Sequence, residues 1–293
     1  MRIITDTNLL GPKPVLFTGE YPDNFYTKEN YCHPQKWMGV LKGPNGEQLN
    51  KNVRSKVYPK ENKSHIAKTP LHAIRWAISE YTQPGDIVLD PFMGSGTTGA
   101  EAMIQGRRAI GIEFEFAENV TAPTLEYFGN RGEDWWLYEG DSEFALDNIA
   151  DQTVHLVNFS NPYPDGGDHT VGITKKLDGG FDRQSLQYQR EGSAGLMRSN
   201  SEYWNKMKAI QLKSCLKLVP GGHAVFVIKD MMKNKQPWEL HRLLADLMPD
   251  FMEHIGTFAL DHYPRSLFMN TYETKFGVRP PLEQVCPVFR RRD

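Results

Sequence analysis

The sequence is poor in the features that mark several protein classes. Its three cysteines, Cys32, Cys215 and Cys286, are odd in number, far apart and without C-x-x-C spacing. That argues against a disulfide scaffold or a zinc ribbon and for a reducing, intracellular setting. Nowhere do about 18 apolar residues run together, and Met1-Arg2-Ile3-Ile4-Thr5-Asp6 lacks the apolar core of a signal peptide, so no membrane segment or leader is expected. One-sided charge is missing too: 34 Lys and Arg stand against 36 Asp and Glu. The whole chain is therefore no basic nucleic-acid binder, and any such contact must be local. No repeat or low-complexity tract appears, and 39% hydrophobic content over 293 residues suffices for one large core with appendages.

What is present centres on the stretch from Leu89 to Ala100. Asp86-Ile87-Val88-Leu89 reads as a strand, Gly94, Gly96 and Gly99 permit close backbone approach to a ligand, and Ala100 to Gln105 resumes helical composition. A helix beginning near Thr97 aims unpaired N–H groups and a partial positive charge over the loop, while Asp90 ends the strand with an acceptor carboxylate. This suits a polar, nucleoside-like ligand. The glycines also spell G-x-G-x-x-G, with Glu113 19 residues after Gly94, so a dinucleotide site is the second reading. It ranks lower because Asp-Pro-Phe-Met separates strand from first glycine and Pro91 stops the ladder. A P-loop lacks its Lys-Ser/Thr.

The string Asp90-Pro91-Phe92-x-Gly94-Ser95-Gly96-Thr97-Thr98 closely resembles the S-adenosyl-L-methionine-binding motif of the DNA amino-methyltransferases, which make N6-methyladenine or N4-methylcytosine. The resemblance implies a Rossmann-like methyltransferase fold: α/β, a mostly parallel seven-stranded sheet with one antiparallel edge strand, helices on both faces, and loop insertions. Leu218-x-Pro220-Gly221-Gly222 before an apolar strand is common in such folds. The strands expected last, Glu253 to Leu260 and Val285 to Phe289, form a hairpin around an excursion from Asp261 to Leu282, and Cys215 and Cys286 are expected to be core thiols.

Residue by residue, the resemblance assigns S-adenosyl-L-methionine to that loop. His65, Lys68 and Thr69 match a His-x-x-x-Lys-Pro-like turn over the methionine end, with Thr69 standing between Lys68 and Pro70. Read from the residues alone, Thr69 and Pro70 cap an amphipathic helix. Glu113, ending the next strand, offers two carboxylate oxygens to two ribose hydroxyls, with Glu115 as fallback. Asp141 resembles the acid that meets the adenine amine, although it equally suits an N-cap for a helix from Ser142, and Phe92 can cover the adenine face.

The strand Thr153 to Phe159 runs into Ser160-Asn161-Pro162-Tyr163, where the family carries a polar residue, two prolines and an aromatic. Here Ser160 is the polar acceptor, Asn161 replaces the first proline and contributes its carbonyl, Pro162 is the second, and Tyr163 stacks on a flipped base. The competing frame makes Asn161 the acceptor and needs more mismatches. No Pro-Cys dipeptide offers a thiolate for ring-carbon methylation. The expected partner is double-stranded DNA with the target base flipped out, and no membrane; the expected location is the cytoplasm of a prokaryotic or phage-infected cell, beside the nucleoid. Within the family it resembles, a serine at the place of Ser160 leans towards N4 of cytosine, with N6 of adenine open. Two alternatives stand: an RNA amino-methyltransferase, and a catalytically weak nucleic-acid-binding subunit.

Residues 1–63, broken by six prolines and basic between Lys42 and Lys63, read as an irregular arm or lid; 64–293 form the methyltransferase domain. Within it, 165–202, rich in glycine and basic residues, read as a target-recognition-like insertion loop.

Overall fold

The computed structural model describes residues 15–17, 58–64, 69, 71–164, 170–175, 181–185, 193–194, 197, 200–228, 230–233, 236–260 and 284–293. Its strands are β1 (Val15–Phe17), β2 (Ile87–Asp90), β3 (Arg108–Glu113), β4 (Trp135–Glu139), β5 (Val154–Phe159), β6 (Thr170–Lys175), β7 (Phe181–Ser185), β8 (Leu218–Phe226), β9 (Met231–Lys233), β10 (Gln236–Trp238), β11 (Met252–Leu260) and β12 (Gln284–Arg291). The helices are α1 (Lys60–Ser64), α2 (Leu71–Tyr81), α3 (Thr97–Ile104), α4 (Ala122–Glu126), α5 (Ser142–Ala145), α6 (Ser201–Lys217) and α7 (Leu240–Ala245).

The main sheet runs β1-β11-β12-β8-β5-β2-β3-β4. Strands β8, β5, β2, β3 and β4 are parallel neighbours. β12 runs antiparallel to both β8 and β11. This is the expected seven-stranded sheet, with the short β1 added antiparallel along β11 as an eighth strand. The parallel strands are apolar on both faces, as burial on both sides demands: Val88 and Leu89, Ala109, Ile110 and Ile112, and Val154, Leu156, Val157 and Phe159 are all buried. One core gathers Ile74, Ile78, Met103 and Leu125 from α2, α3 and α4. The other gathers Leu146, Tyr203, Met207, Ile210, Leu240 and Leu244, so helices cover both faces. Cys215 and Cys286 are fully buried thiols; burial pushes Cys286 up to about 12 and raises Cys215 as well, with Arg291 opposing the latter. Both are inert packing groups at neutral pH. Cys32 lies outside the described residues.

Two local details depart from the expected elements. The composition of Ala117 to Phe128 predicts a single helix, but the chain there forms a wide turn, Ala117–Thr121, followed by α4. The N–H of Thr121 reaches back five residues to the Phe116 carbonyl at 3.0 Å, and Pro123 sits in the first turn of α4, where its missing donor costs nothing. Pro220-Gly221-Gly222, expected as a turn before the strand, lies inside β8 as an irregularity. Val154 pairs with Leu218 but Leu156 already pairs with His223, so the extra residues bulge out, with Gly221 left-handed at φ 76°.

Candidate active site

The chain leaves β2 towards β3 on one side of the sheet and leaves β5 towards β8 on the other. Strand order therefore reverses between β2 and β5, and in open α/β sheets ligands bind in the crevice past the carboxyl ends at such a point. The glycine loop follows β2 and the Ser160 turn follows β5, so topology alone brings the two motifs to opposite lips of one crevice.

The loop is built to be rigid. The Met93 N–H bonds the Ile112 carbonyl of β3 at 2.9 Å, and Gly96 bonds back to Met93 at 3.0 Å. The loop's carbonyls are taken: Pro91 by the Ser142 hydroxyl at 2.5 Å, Gly94 by the Thr121 hydroxyl at 2.6 Å, and Ser95 by the Asn62 amide at 2.8 Å. Gly94 and Gly96 are left-handed, at φ 53° and 78°, which side-chain-bearing residues rarely adopt. α3 opens at Gly96 without a side-chain cap, so the positive end of its dipole faces the loop. Gly99 has a different duty. A Cβ there would stand 2.5 Å from Leu125 Cδ2, so this glycine lets α3 approach α4.

Asp90 is buried, and both its oxygens are used within the loop: Oδ1 accepts from the Phe92 N–H at 2.8 Å and Oδ2 from the Thr98 hydroxyl at 2.5 Å. Asn158 of β5 donates to Thr98 Oγ1 at 3.1 Å, linking the two lips of the crevice. Burial pushes the Asp90 carboxyl up to about 6; the Thr98, Phe92 and Asn158 hydrogen bonds pull it down, and nearby Glu113 raises it. A folded value above the ordinary 3.8 means that the native state binds this proton more tightly than the unfolded chain does. The stability that the proton contributes is complete below about pH 4 and is lost as pH rises through about 6, on the order of 3 kcal/mol in all. Asp90→Asn is expected to flatten that slope and raise the melting temperature at pH 8, where its amide oxygen still accepts from Phe92. Thermal melts of both proteins between pH 4 and 8 measure this; parallel curves would contradict it.

Glu113 is held at 8% exposure at the end of β3. Its Oε2 accepts from Gly94 N–H at 2.7 Å, and its Oε1 from the Glu115 and Phe116 N–H groups at 2.9 and 3.2 Å. A carboxylate offers about four acceptor positions, so capacity is left for a ribose hydroxyl. Asp141 caps α5 by accepting from Glu143 N–H at 3.0 Å, and its other oxygen pairs with Lys206 of α6. The N-cap alternative is the geometry seen. Phe92 is half-buried against the core.

On the β5 side, the Ser160 hydroxyl meets the Thr69 hydroxyl at 2.8 Å. Asn161 is buried with its amide N–H on Met207 Sδ at 3.3 Å, and its Oδ1 has no partner among the described residues. The Pro162 carbonyl accepts from the Tyr203 hydroxyl at 2.7 Å, which braces the turn from α6. Tyr163 packs half-buried beside the core. His65 and Lys68 lie outside the described residues.

Sequence reasoning missed the part played by residues 58–64. Within the stretch expected to be irregular, α1 packs beside the turn Ala117–Thr121 and lays the fully buried Asn62 on the glycine loop, touching Thr97 Oγ1 at 3.4 Å as well as Ser95. Tyr58 donates to Glu101, which sits fully buried in α3 and receives a two-pronged contact from Arg75 of α2, at 2.6 and 2.9 Å. Burial pulls the Arg75 guanidinium down, but Glu101 more than offsets this and the net shift is upward. Nothing local signals such a network: Tyr58 and Arg75, 43 and 26 positions before Glu101, meet it only after packing.

Strand order and the loop after β2 together define a Rossmann-like α/β fold with its crevice at the strand-order reversal. A DNA methylase family model, of the N6 and N4 amino-methylating kind, matches residues 19–118, which include the whole glycine loop and Glu113. Similar proteins include the DNA adenine methyltransferase YhdJ of Escherichia coli, 49% identical over 53 residues or 18% of each chain. The type II methyltransferase M.BglI of Bacillus subtilis is 50% identical over 56 residues, 19% of this chain and 16% of its own. M.HinfI of Haemophilus influenzae is 47% identical over 53 residues, 18% and 15%. The match thus spans under a fifth of the length of these relatives. Among solved structures, an rRNA methylase-like protein of Clostridium thermocellum superposes with a TM-score of 0.47 at 15% identity, over 77% of this chain and 98% of its own. Over the glycine loop the chain is therefore similar to DNA amino-methyltransferases, a likeness that supports S-adenosyl-L-methionine as its ligand. The uncapped N-terminus of α3 and the left-handed glycines fit that ligand.

Proposed function

We propose that this protein methylates the exocyclic amine of cytosine (N4) or adenine (N6) in a base flipped out of double-stranded DNA. The observation that carries the reading is the placement of the glycine loop and Ser160-Asn161-Pro162-Tyr163 on the two lips of the strand-order reversal. Bound at the loop, S-adenosyl-L-methionine supplies a methyl group on a positively charged sulfur. The chain's residues do the rest. Gly94 to Thr98 and Asp90 shape the loop, Glu113 takes the ribose, Phe92 covers the adenine, and Asp141, with His65, Lys68 and Thr69, completes the pocket. An aromatic amine is a poor nucleophile because its lone pair is delocalised into the ring. Ser160 Oγ and the Asn161 carbonyl accept its two N–H bonds and favour the pyramidal form that exists only near the transition state, while Tyr163 stacks on the base.

Residues 1–63 serve in this reading as an arm that, near its end, lays Asn62 on the cofactor loop. Residues 165–202, which contain the β6–β7 hairpin, read the target. The test is incubation of the purified protein with methyl-labelled S-adenosyl-L-methionine and matched DNA and RNA. Label on amines of DNA is the expected result. Label on RNA alone would move the substrate to RNA, and cofactor binding without transfer to either would favour the weak subunit.

A further inference from the structure

The hydrogen bond between Thr69 Oγ1 and Ser160 Oγ, 2.8 Å long and spanning 91 residues of sequence, bears on how the acceptor works. A serine hydroxyl carries one donor and two lone pairs on a freely turning bond. Towards an amine that must give up both its N–H bonds, only the lone pairs are useful. Pointed at the amine, the Ser160 proton would compete for the nitrogen lone pair that has to attack. Fixing the rotor therefore matters more here than for an aspartate at the same place, which has no proton to misdirect. We infer that Thr69 is the positioning residue for Ser160: Ser160 donates its proton to Thr69 Oγ1, and its lone pairs are thereby held towards the crevice. The inference rests on the amino-methyltransferase reading of this site.

The geometry also ties two functions together. Thr69 lies just ahead of α2 and follows directly on 65–68, the stretch the sequence assigns to the cofactor, while Ser160 follows β5 on the other lip. Thr69, itself assigned to the cofactor by the sequence, thus also sets the hydroxyl that meets the target amine.

The test is steady-state kinetics on DNA for Thr69→Val, which keeps shape but removes the oxygen, and Thr69→Ser, which keeps the hydroxyl. Thr69→Val is expected to lower kcat by about tenfold or more, the effect of one well-placed hydrogen bond, with any rise in the KM for S-adenosyl-L-methionine smaller than that loss. Thr69→Ser is expected to recover kcat to within about threefold. In a Ser160→Ala background, Thr69→Val should cost nothing further, because nothing is left to orient. A kcat unchanged by Thr69→Val overturns the inference and leaves the enzyme reading intact. So does a rise in KM for the donor at constant kcat, which would leave Thr69 a cofactor ligand alone, or an equal loss of kcat in the Ser160→Ala background. If the unaltered protein transfers no methyl group to DNA or RNA, the enzyme reading fails and the inference falls with it.

Discussion

Ser160→Ala is expected to lower kcat by about 10²- to 10³-fold, the range found when a single preorganised hydrogen-bonding group is removed from a transition-state site. The reason is the amine's electronic structure. In the ground state its lone pair belongs to the ring and the group is flat; as the nitrogen becomes a nucleophile it turns pyramidal and its N–H bonds tilt towards whatever accepts them. An acceptor placed for the tilted form contributes little to binding and much to rate. kcat and kcat/KM should therefore fall together, and the affinity for S-adenosyl-L-methionine should move by less than about threefold. Single-turnover methylation with the cofactor titrated separately makes the distinction. A loss confined to KM for DNA would assign Ser160 to substrate binding instead.

Arg75→Met is expected to destabilise the fold by about 3 to 5 kcal/mol, the usual cost of stranding one member of a buried ion pair. Glu101 has no exposed surface, and among the described residues two of the three hydrogen bonds to its carboxylate come from Arg75. After the substitution only the Tyr58 hydroxyl would face a carboxylate that water cannot reach. The double variant Arg75→Met/Glu101→Met should regain most of the loss, since two apolar groups of similar length fill the same space without a charge to solvate. Urea unfolding of the two variants measures both numbers; a single-variant loss below about 1 kcal/mol would show that the pair behaves like a surface contact. Because Tyr58 hangs on the same carboxylate, the stranded charge should also loosen the end of the arm that lays Asn62 on Ser95 and Thr97.

Motifs set by short-range geometry are legible in the sequence alone. The β2 strand, the left-handed glycines and the start of α3 at Thr97 lie where local rules put them, since strand period, positive φ and helix onset are decided within about ten residues. The same holds for Glu113 at the end of β3. Where a distant neighbour decides, local rules fail. The wide turn before Pro123 depends on what Thr121 must do for the Gly94 carbonyl, and the irregular start of β8 depends on pairing with β5.

The sequence by itself determined the class of ligand, the order of motifs along the chain and the residues at the two turns, because a glycine loop and a polar-x-Pro-aromatic turn are local objects whose chemistry is written in adjacent side chains. Only the tertiary structure decided that Thr69 faces Ser160, that Asn158 reaches Thr98, that Asp141 is shared with Lys206, and that Tyr58, Arg75 and Glu101 close on one another. Each of those contacts joins residues that sheet order and helix packing carry together across tens of positions, and a hydrogen bond specifies a distance and a direction that no periodicity in a single chain encodes.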